Sequence, residues 1–123
     1  MSIRSEAFDW YRRKYGKLDP AIYTSKYYQV YESWPKKSVW WPQIPIKAID
    51  DFNYINILCE IAPNKNDFYH LKVPTTFLRE NLRKFHRLKG QISLYLSTDP
   101  RALFVEVRGQ GNLNFKSFLV TDN

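Results

Sequence analysis

Between Tyr54 and Val73 the chain alternates with a period of two, and that alternation limits what it can fold into. Ile55, Ile57, Cys59 and Ile61 fall on one side of an extended chain, with Tyr54, Asn56, Leu58 and Glu60 on the other. After Pro63-Asn64-Lys65-Asn66-Asp67, which is turn chemistry, Tyr69, Leu71 and Val73 alternate against Phe68, His70 and Lys72. Two such runs around a polar turn predict an antiparallel hairpin.

From Val73 to Gly90 the period lengthens. At about 100° per residue, Phe77, Leu78, Leu82, Phe85 and Leu88 gather on one face, which predicts a helix. Thr75 or Thr76 can cap its start, Glu80 suits its early turns, and Gly90 can take the left-handed position at its end. Arg79, Arg83, His86 and Arg87 gather on another face, with Lys84 at its edge. A second hairpin is expected next. Its strands are Gln91–Ser97, with Ile92, Leu94 and Leu96 inward, and Ala102–Arg108, with Leu103, Val105 and Val107 inward. Leu113–Val120 adds a fifth strand. The expected class is α+β: an antiparallel sheet of four to five strands in the order β-β-α-β-β, with the helix packed on one face.

The first half reads as a helical, aromatic segment. Ser5–Tyr15 keeps helical spacing through Ala7, Phe8, Tyr11 and Tyr15, and Gly16 stops it. Asp19-Pro20 is a helix-start signal, and Tyr23, Tyr27 and Tyr31 then recur every fourth residue, so a second helix is expected, although Tyr-Tyr-Gln-Val-Tyr suits a strand as well. Trp34–Ile46 holds Pro35, Pro42 and Pro45 beside Trp34, Trp40 and Trp41; it cannot be helix interior and should run extended. Lys47–Phe52 suits one short turn. No Gly/Ser-rich linker divides the chain, so one domain is expected: residues 1–33 helical, 34–52 extended, and 53–123 the ββαββ core. The sheet face away from the helix would gather Tyr54, Leu58, Phe68, Tyr95 and Phe104. That face is too aromatic to stand bare in water, so the N-terminal segment is expected to cover it, unless it serves as a binding platform.

Charge narrows the partners. Lys+Arg 19 against Asp+Glu 12 gives +7, with aromatics at 17%, a balance that biases a small domain towards polyanions: nucleic acid or an acidic protein. Cys59 is alone, which excludes an internal disulfide or a cysteine metal cluster and suits a reducing cytoplasm. The first residues lack an apolar leader core, and no run approaches the ~20 apolar residues of a membrane helix. A cytoplasmic protein with no membrane partner is expected.

Catalytic constellations are sparse. Asp99 followed by Glu106-Val107-Arg108 echoes a divalent-metal nuclease, whose carboxylates hold the cation while a lysine orients water. Arg108 is a poor stand-in for that lysine because it stays protonated, and a cross-strand ion pair is the plainer reading. Asp50 or Asp51 with Glu60 and Lys72 makes a second, weaker echo, again favouring a salt bridge. His70 and His86 lack zinc-ligand spacing, and Gly109-Gln110-Gly111 lacks that of a phosphate loop.

The expectation is therefore a non-catalytic nucleic-acid binder that contacts phosphates through a basic helix face. Its residues would be Lys72, Arg79, Arg83, Lys84, Arg87 and Arg108, with Phe68, Tyr95 and Phe104 available for base stacking. One alternative is an interaction module (inhibitor, immunity or accessory subunit) that recognises an acidic partner through Trp34, Trp40 and Trp41, since Trp and Arg dominate binding hot spots. The second alternative is the metal nuclease. No cofactor or resident metal is implied.

Overall fold

The computed structural model describes residues 3–28, 38–62, 67–109 and 111–121. The predicted hairpin is its spine. Strand β5 (Tyr54–Glu60) pairs antiparallel with β6 (Phe68–Pro74), from Tyr54 opposite Pro74 to Glu60 opposite Phe68. Strand β1 (Ile22–Ser25) lies along the other edge of β5 in parallel register, making the sheet β1-β5-β6. Two smaller sheets complete the fold. Strands β2 (Tyr27–Tyr28), β3 (Val39–Trp40) and β9 (Leu96–Ser97) form one; β4 (Gln43–Pro45), β8 (Gln91–Ser93) and β7 (His86–Leu88) form the other. All pairings except β1–β5 are antiparallel, and three helices accompany them: α1 (Ile3–Tyr15), α2 (Ile46–Asp51) and α3 (Thr75–Glu80). The class is α+β as expected; the single ββαββ sheet is not what forms.

The period-two reading places both faces of the hairpin. Ile55, Ile57, Cys59, Leu71 and Val73 turn to the main core with Trp40, Ile44, Leu78, Ile92, Phe104 and Phe115. Leu58 and Phe68 turn the opposite way and, with Ile22, are covered by Ala7 and Tyr11 of α1. The N-terminal helix thus shields this face, and Trp10 adds an edge-on contact to Phe68 at 5.9 Å. Helix α1 ends where expected: Gly16 adopts φ +82° and its N–H donates to the Arg12 carbonyl at 2.8 Å.

Several expectations need correction. The helix predicted over 75–90 stops at Glu80, where Asn81 donates from its side chain to the Phe77 carbonyl; a 3₁₀ turn (Leu82–Lys84) then leads into β7. Thr75 does not cap this helix: its buried hydroxyl donates to the Phe52 and Asn53 carbonyls at 2.7 and 3.1 Å. Lys89 and Gly90 both take positive φ, +53° and +76°, and close the β7–β8 hairpin as a two-residue turn of the kind that matches strand twist. Gly90 is hairpin chemistry, not a helix stop. Apolar spacing of three and four served a short helix plus a strand, and the β8 ladder outweighed continued helix.

The tyrosine run 22–28 is strand, not helix; Tyr31 lies outside the described residues. Asp19 accepts from the Tyr11 hydroxyl at 2.5 Å, and Ala21 turns at φ +59° before β1 begins. The run 91–97 breaks at Leu94-Tyr95 into β8 and β9. Ala102–Arg108 and Leu113–Val120 supply single bridges (Leu96 with Glu106, Val105 with Asn114, Leu71 with Leu119) in place of strands. The cause is Phe104, held at φ +64°. That conformation costs a non-glycine residue about 1–2 kcal/mol. Burying the phenyl ring contributes about 1.5–3 kcal/mol, and it stacks on Trp40 at 5.0 Å between centroids.

Two tight spots define what the fold tolerates. Gly109 lies so close to the 3₁₀ turn that an added Cβ would collide with the Lys84 carbonyl oxygen and come within 2.9 Å of Glu106 Oε1. Gly109→Ala is expected to destabilise by about 3 kcal/mol, the upper range for a point substitution; urea unfolding would read it directly. His70, under α1, bonds through Nε2 to Asn56 Oδ1 at 2.8 Å and through Nδ1 to the Tyr15 hydroxyl at 2.9 Å. An Oδ1 acceptor makes Nε2 the donor, so Nδ1 accepts from Tyr15 and the ring is neutral. Burial, helped by the Lys14 and Lys72 cations and partly opposed by Asp19, lowers its pKa from 6.5 to about 4. The unfolded chain therefore takes up this proton first: stability is full above pH 6.5 and falls as pH drops towards 4. With solvent screening the loss is about 2 kcal/mol. His70→Gln, which keeps a donor and an acceptor without a titrating ring, is expected to remove that part of the pH dependence in melts between pH 7 and 4.

Candidate functional site

The basic residues expected on one helix face are dispersed. Arg79 turns inward, where Nη1 donates to the Ile49 carbonyl at 2.8 Å and to Thr75 Oγ1 at 3.3 Å, fastening α3 to α2. Lys72 lies over the Tyr54 ring at 4.8 Å. Arg83 and Lys84 sit exposed in the 3₁₀ turn, and Lys84 carbons flank Gly111. Register separates Arg87 from its neighbours. Ile44, Ile92 and Arg87 form one row across β4-β8-β7, so Gln43, Ser93 and His86 form a row on the opposite face. The Arg79/Arg83/Arg87 stripe does not exist as a single surface.

The tryptophans divide by the same parity. Trp40 is 1% exposed, donates from Nε1 to the Glu60 carbonyl at 2.7 Å, and belongs to the core rather than to any partner surface. Trp34 lies outside the described residues. Trp41, the next residue along an extended chain, points the other way and is half-buried. Its N–H donates to Ser25 Oγ at 2.7 Å and its Nε1 to Ser93 Oγ at 2.5 Å, which fixes the indole over the Gln43–Ser93–His86 row.

Around Trp41 the aromatic and cationic groups converge. Tyr28 lies 5.7 Å from its ring and Tyr95 stands edge-on at 5.4 Å. Arg108 lies 4.7 Å over the Tyr95 ring, and its Nη2 donates to His86 Nε2 at 3.2 Å. Two cavities flank Trp41 and Gln43. One, of about 290 Å³, is bounded by Arg4, Ile22–Thr24 of β1 and Tyr28. The other, of about 210 Å³, is bounded by His86, Leu88, Lys89, Gln91, Ser93 and Arg108. Lys26 stands over Tyr28 at 4.7 Å, and no described carboxylate lines either cavity. The cavity walls therefore carry Arg4, Lys89 and Arg108, with Lys26 beside Tyr28.

Of the expected residues, only Arg108 and Trp41 come together here, with Tyr95 beneath them. Phe68, Tyr95 and Phe104 are all buried and offer no stacking surface. Arg4, Tyr28 and Gln43 were missed, and His86 was placed on the basic helix face without a role. One signal was available for Trp41: in an extended Trp-Trp pair one ring goes inward and the other outward.

The nuclease carboxylates serve structure. Asp99 opens the 3₁₀ turn Pro100–Ala102, accepting from the Arg101 N–H at 2.9 Å and pairing with its guanidinium at 3.2 Å. Glu106 is 2% exposed and gathers three backbone donors: Tyr95 at 2.7 Å and Arg108 at 3.2 Å on Oε2, and Gly109 at 2.6 Å on Oε1. Among the described residues no three His, Cys, Asp or Glu side chains converge as a metal site requires. Nor is any described helix long and apolar enough to cross a membrane. Glu106→Gln turns one acceptor into a donor facing an N–H, so a loss of about 2 kcal/mol is expected on denaturant unfolding.

Comparison with protein-family models, curated proteins and solved structures returned no match, which leaves the chain's own geometry as the guide to its function.

Proposed function

We propose that this protein is a non-catalytic binder of single-stranded nucleic acid, which it holds in the trough around Trp41. The observation that carries the reading is the Trp41–Tyr95–Arg108–His86 cluster set between two cavities that no described carboxylate lines. Single-strand binders combine a positive groove that tracks the backbone with aromatic rings that accept bases of any sequence. Arg108 and Lys89 would meet phosphates and Trp41 a base, with the chain's +7 supplying long-range attraction. Arginine suits the phosphate role because its planar fork can bond two oxygens at once. The trough takes the place of the helix face in this reading; exposed Arg83 and Arg87 add to the general field.

Fluorescence anisotropy with a labelled strand of about 12 nucleotides and its duplex tests the proposal. The single strand is expected to bind more tightly, and its affinity to fall between about 50 and 200 mM salt. Arg108→Gln with Lys89→Gln should flatten the log–log salt slope by about 1.4, since each single-strand phosphate contact contributes roughly 0.7. Absence of salt-dependent binding to any oligonucleotide would overturn the proposal and turn attention to an acidic protein partner for Trp41 and Leu88, which is 59% exposed at the rim.

A further inference from the structure

Resting on that single-strand reading, we infer that the two cavities divide one step of the strand between them: the larger takes an unstacked nucleobase and the smaller takes the adjoining phosphate.

The larger cavity has what a base needs and little of what a phosphate needs. Trp41 and Tyr28 supply aromatic walls, 59° apart, so a flat ring stacks on one and meets the other at an angle. The opposite wall is the outer edge of β1. The Asn56 N–H donates to the Ala21 carbonyl at 2.9 Å, which sets the phase of the parallel ladder. Tyr23 then turns both backbone groups towards β5, while Ile22 and Thr24 turn theirs outward to the cavity. These outward groups have no strand partner among the described residues. Together with the Gln43 amide and the Thr24 hydroxyl they offer donors and acceptors to the edge of a base, and Arg4 is the one cation among the described residues of this lining.

The smaller cavity is the reverse. Arg108 and Lys89 are cationic, and Ser93 adds a hydroxyl. Arg108 is already ordered: its ring partner Tyr95, its contact with His86 and the Glu106 bond to its N–H hold it before any ligand arrives. Such preorganisation lowers the entropy lost on binding an anion. At about 290 and 210 Å³, each cavity falls below the ~300–1,000 Å³ that takes a drug-sized ligand. Each suits one chemical group, and because Trp41 and Gln43 wall both, the two groups must be neighbours on one molecule. An extended peptide added to the β1 edge fits less well, because the strand is only four residues long and two aromatic rings face it across a small space.

The test uses the native protein and two strands of about 12 nucleotides, one intact and one abasic with the same sugar-phosphate chain. The intact strand is expected to bind about tenfold more tightly, a gap the size of one base–aromatic stack. Trp41→Ala should shrink the ratio towards one, whereas Arg108→Gln should weaken both strands alike. Equal binding of the two strands by the native protein would overturn the base site while leaving the nucleic-acid reading standing. Failure of both to bind would overturn the two together. Displacement of the intact strand by an extended acidic peptide, with no base to offer, would assign the β1 edge to a protein instead.

Discussion

Three backbone N–H groups that no strand pairs converge on the Glu106 carboxylate, and much of the second half of the chain depends on that convergence. Tyr95 breaks the run between β8 and β9, Arg108 follows the last bridge, and Gly109 turns back against Lys84. The Tyr95 N–H would otherwise be a buried donor without a partner, at about 1–3 kcal/mol, while those of Arg108 and Gly109 are half-buried. A buried carboxylate is itself expensive to desolvate, and several charge-assisted hydrogen bonds are what make such a site tenable. Glu106 therefore does locally what a fourth strand was expected to do. It also joins Tyr95 to Arg108, so the device that closes the fold sets the half-buried guanidinium over the buried Tyr95 ring.

On the far side of the sheet the problem is solved differently. Leu58 and Phe68 carry apolar bulk away from the main core, yet Asn56 and His70 share their face. Helix α1 covers all four, with Ala7 and Tyr11 against the apolar pair and Tyr15 bonded to His70. The polar pair is satisfied within itself: Asn56 accepts from His70, and His70 accepts from Tyr15. Such a network is stable only while the ring stays neutral, which is why its stability is tied to pH and why the two nearby lysines reinforce the neutral form.

The parts of this fold that were legible are those where one period ran long enough to exclude the other. Seven residues of strict alternation set β5, and the hairpin with β6 followed. In α1, helical spacing agreed with an acidic first turn, a basic last turn and a terminal glycine. The stretch from Thr75 to Leu88 misled because spacings of three and four arise equally from a one-and-a-half-turn helix followed by a strand. The decisive residues were Asn81 and the Lys89-Gly90 pair, which are turn chemistry inside an apparently helical pattern. Ala102–Arg108 misled for another reason: nothing local marks Phe104 for a left-handed backbone, since the force holding it there is a stack on Trp40 from sixty-four positions earlier.

The candidate site was less legible than the fold because it has no local signature at all. Its walls come from α1, β1, β2, the residue after β3, β4, the β7–β8 hairpin and the loop at Arg108. Charge count pointed to a polyanion, but it could not say which cations share a surface; that depends on strand parity and on which arginines the fold consumes. Arg79 illustrates the second point, being spent on the Ile49 carbonyl of α2. Parity decides the first, as Arg87 and His86 are adjacent in sequence and opposed in space. What remains after both selections is a smaller set of cations than the stripe promised, but one arranged around a fixed indole. For a ligand with alternating flat apolar and anionic groups, that arrangement matters more than the number of charges, because stacking orders the strand while the phosphates supply most of the attraction.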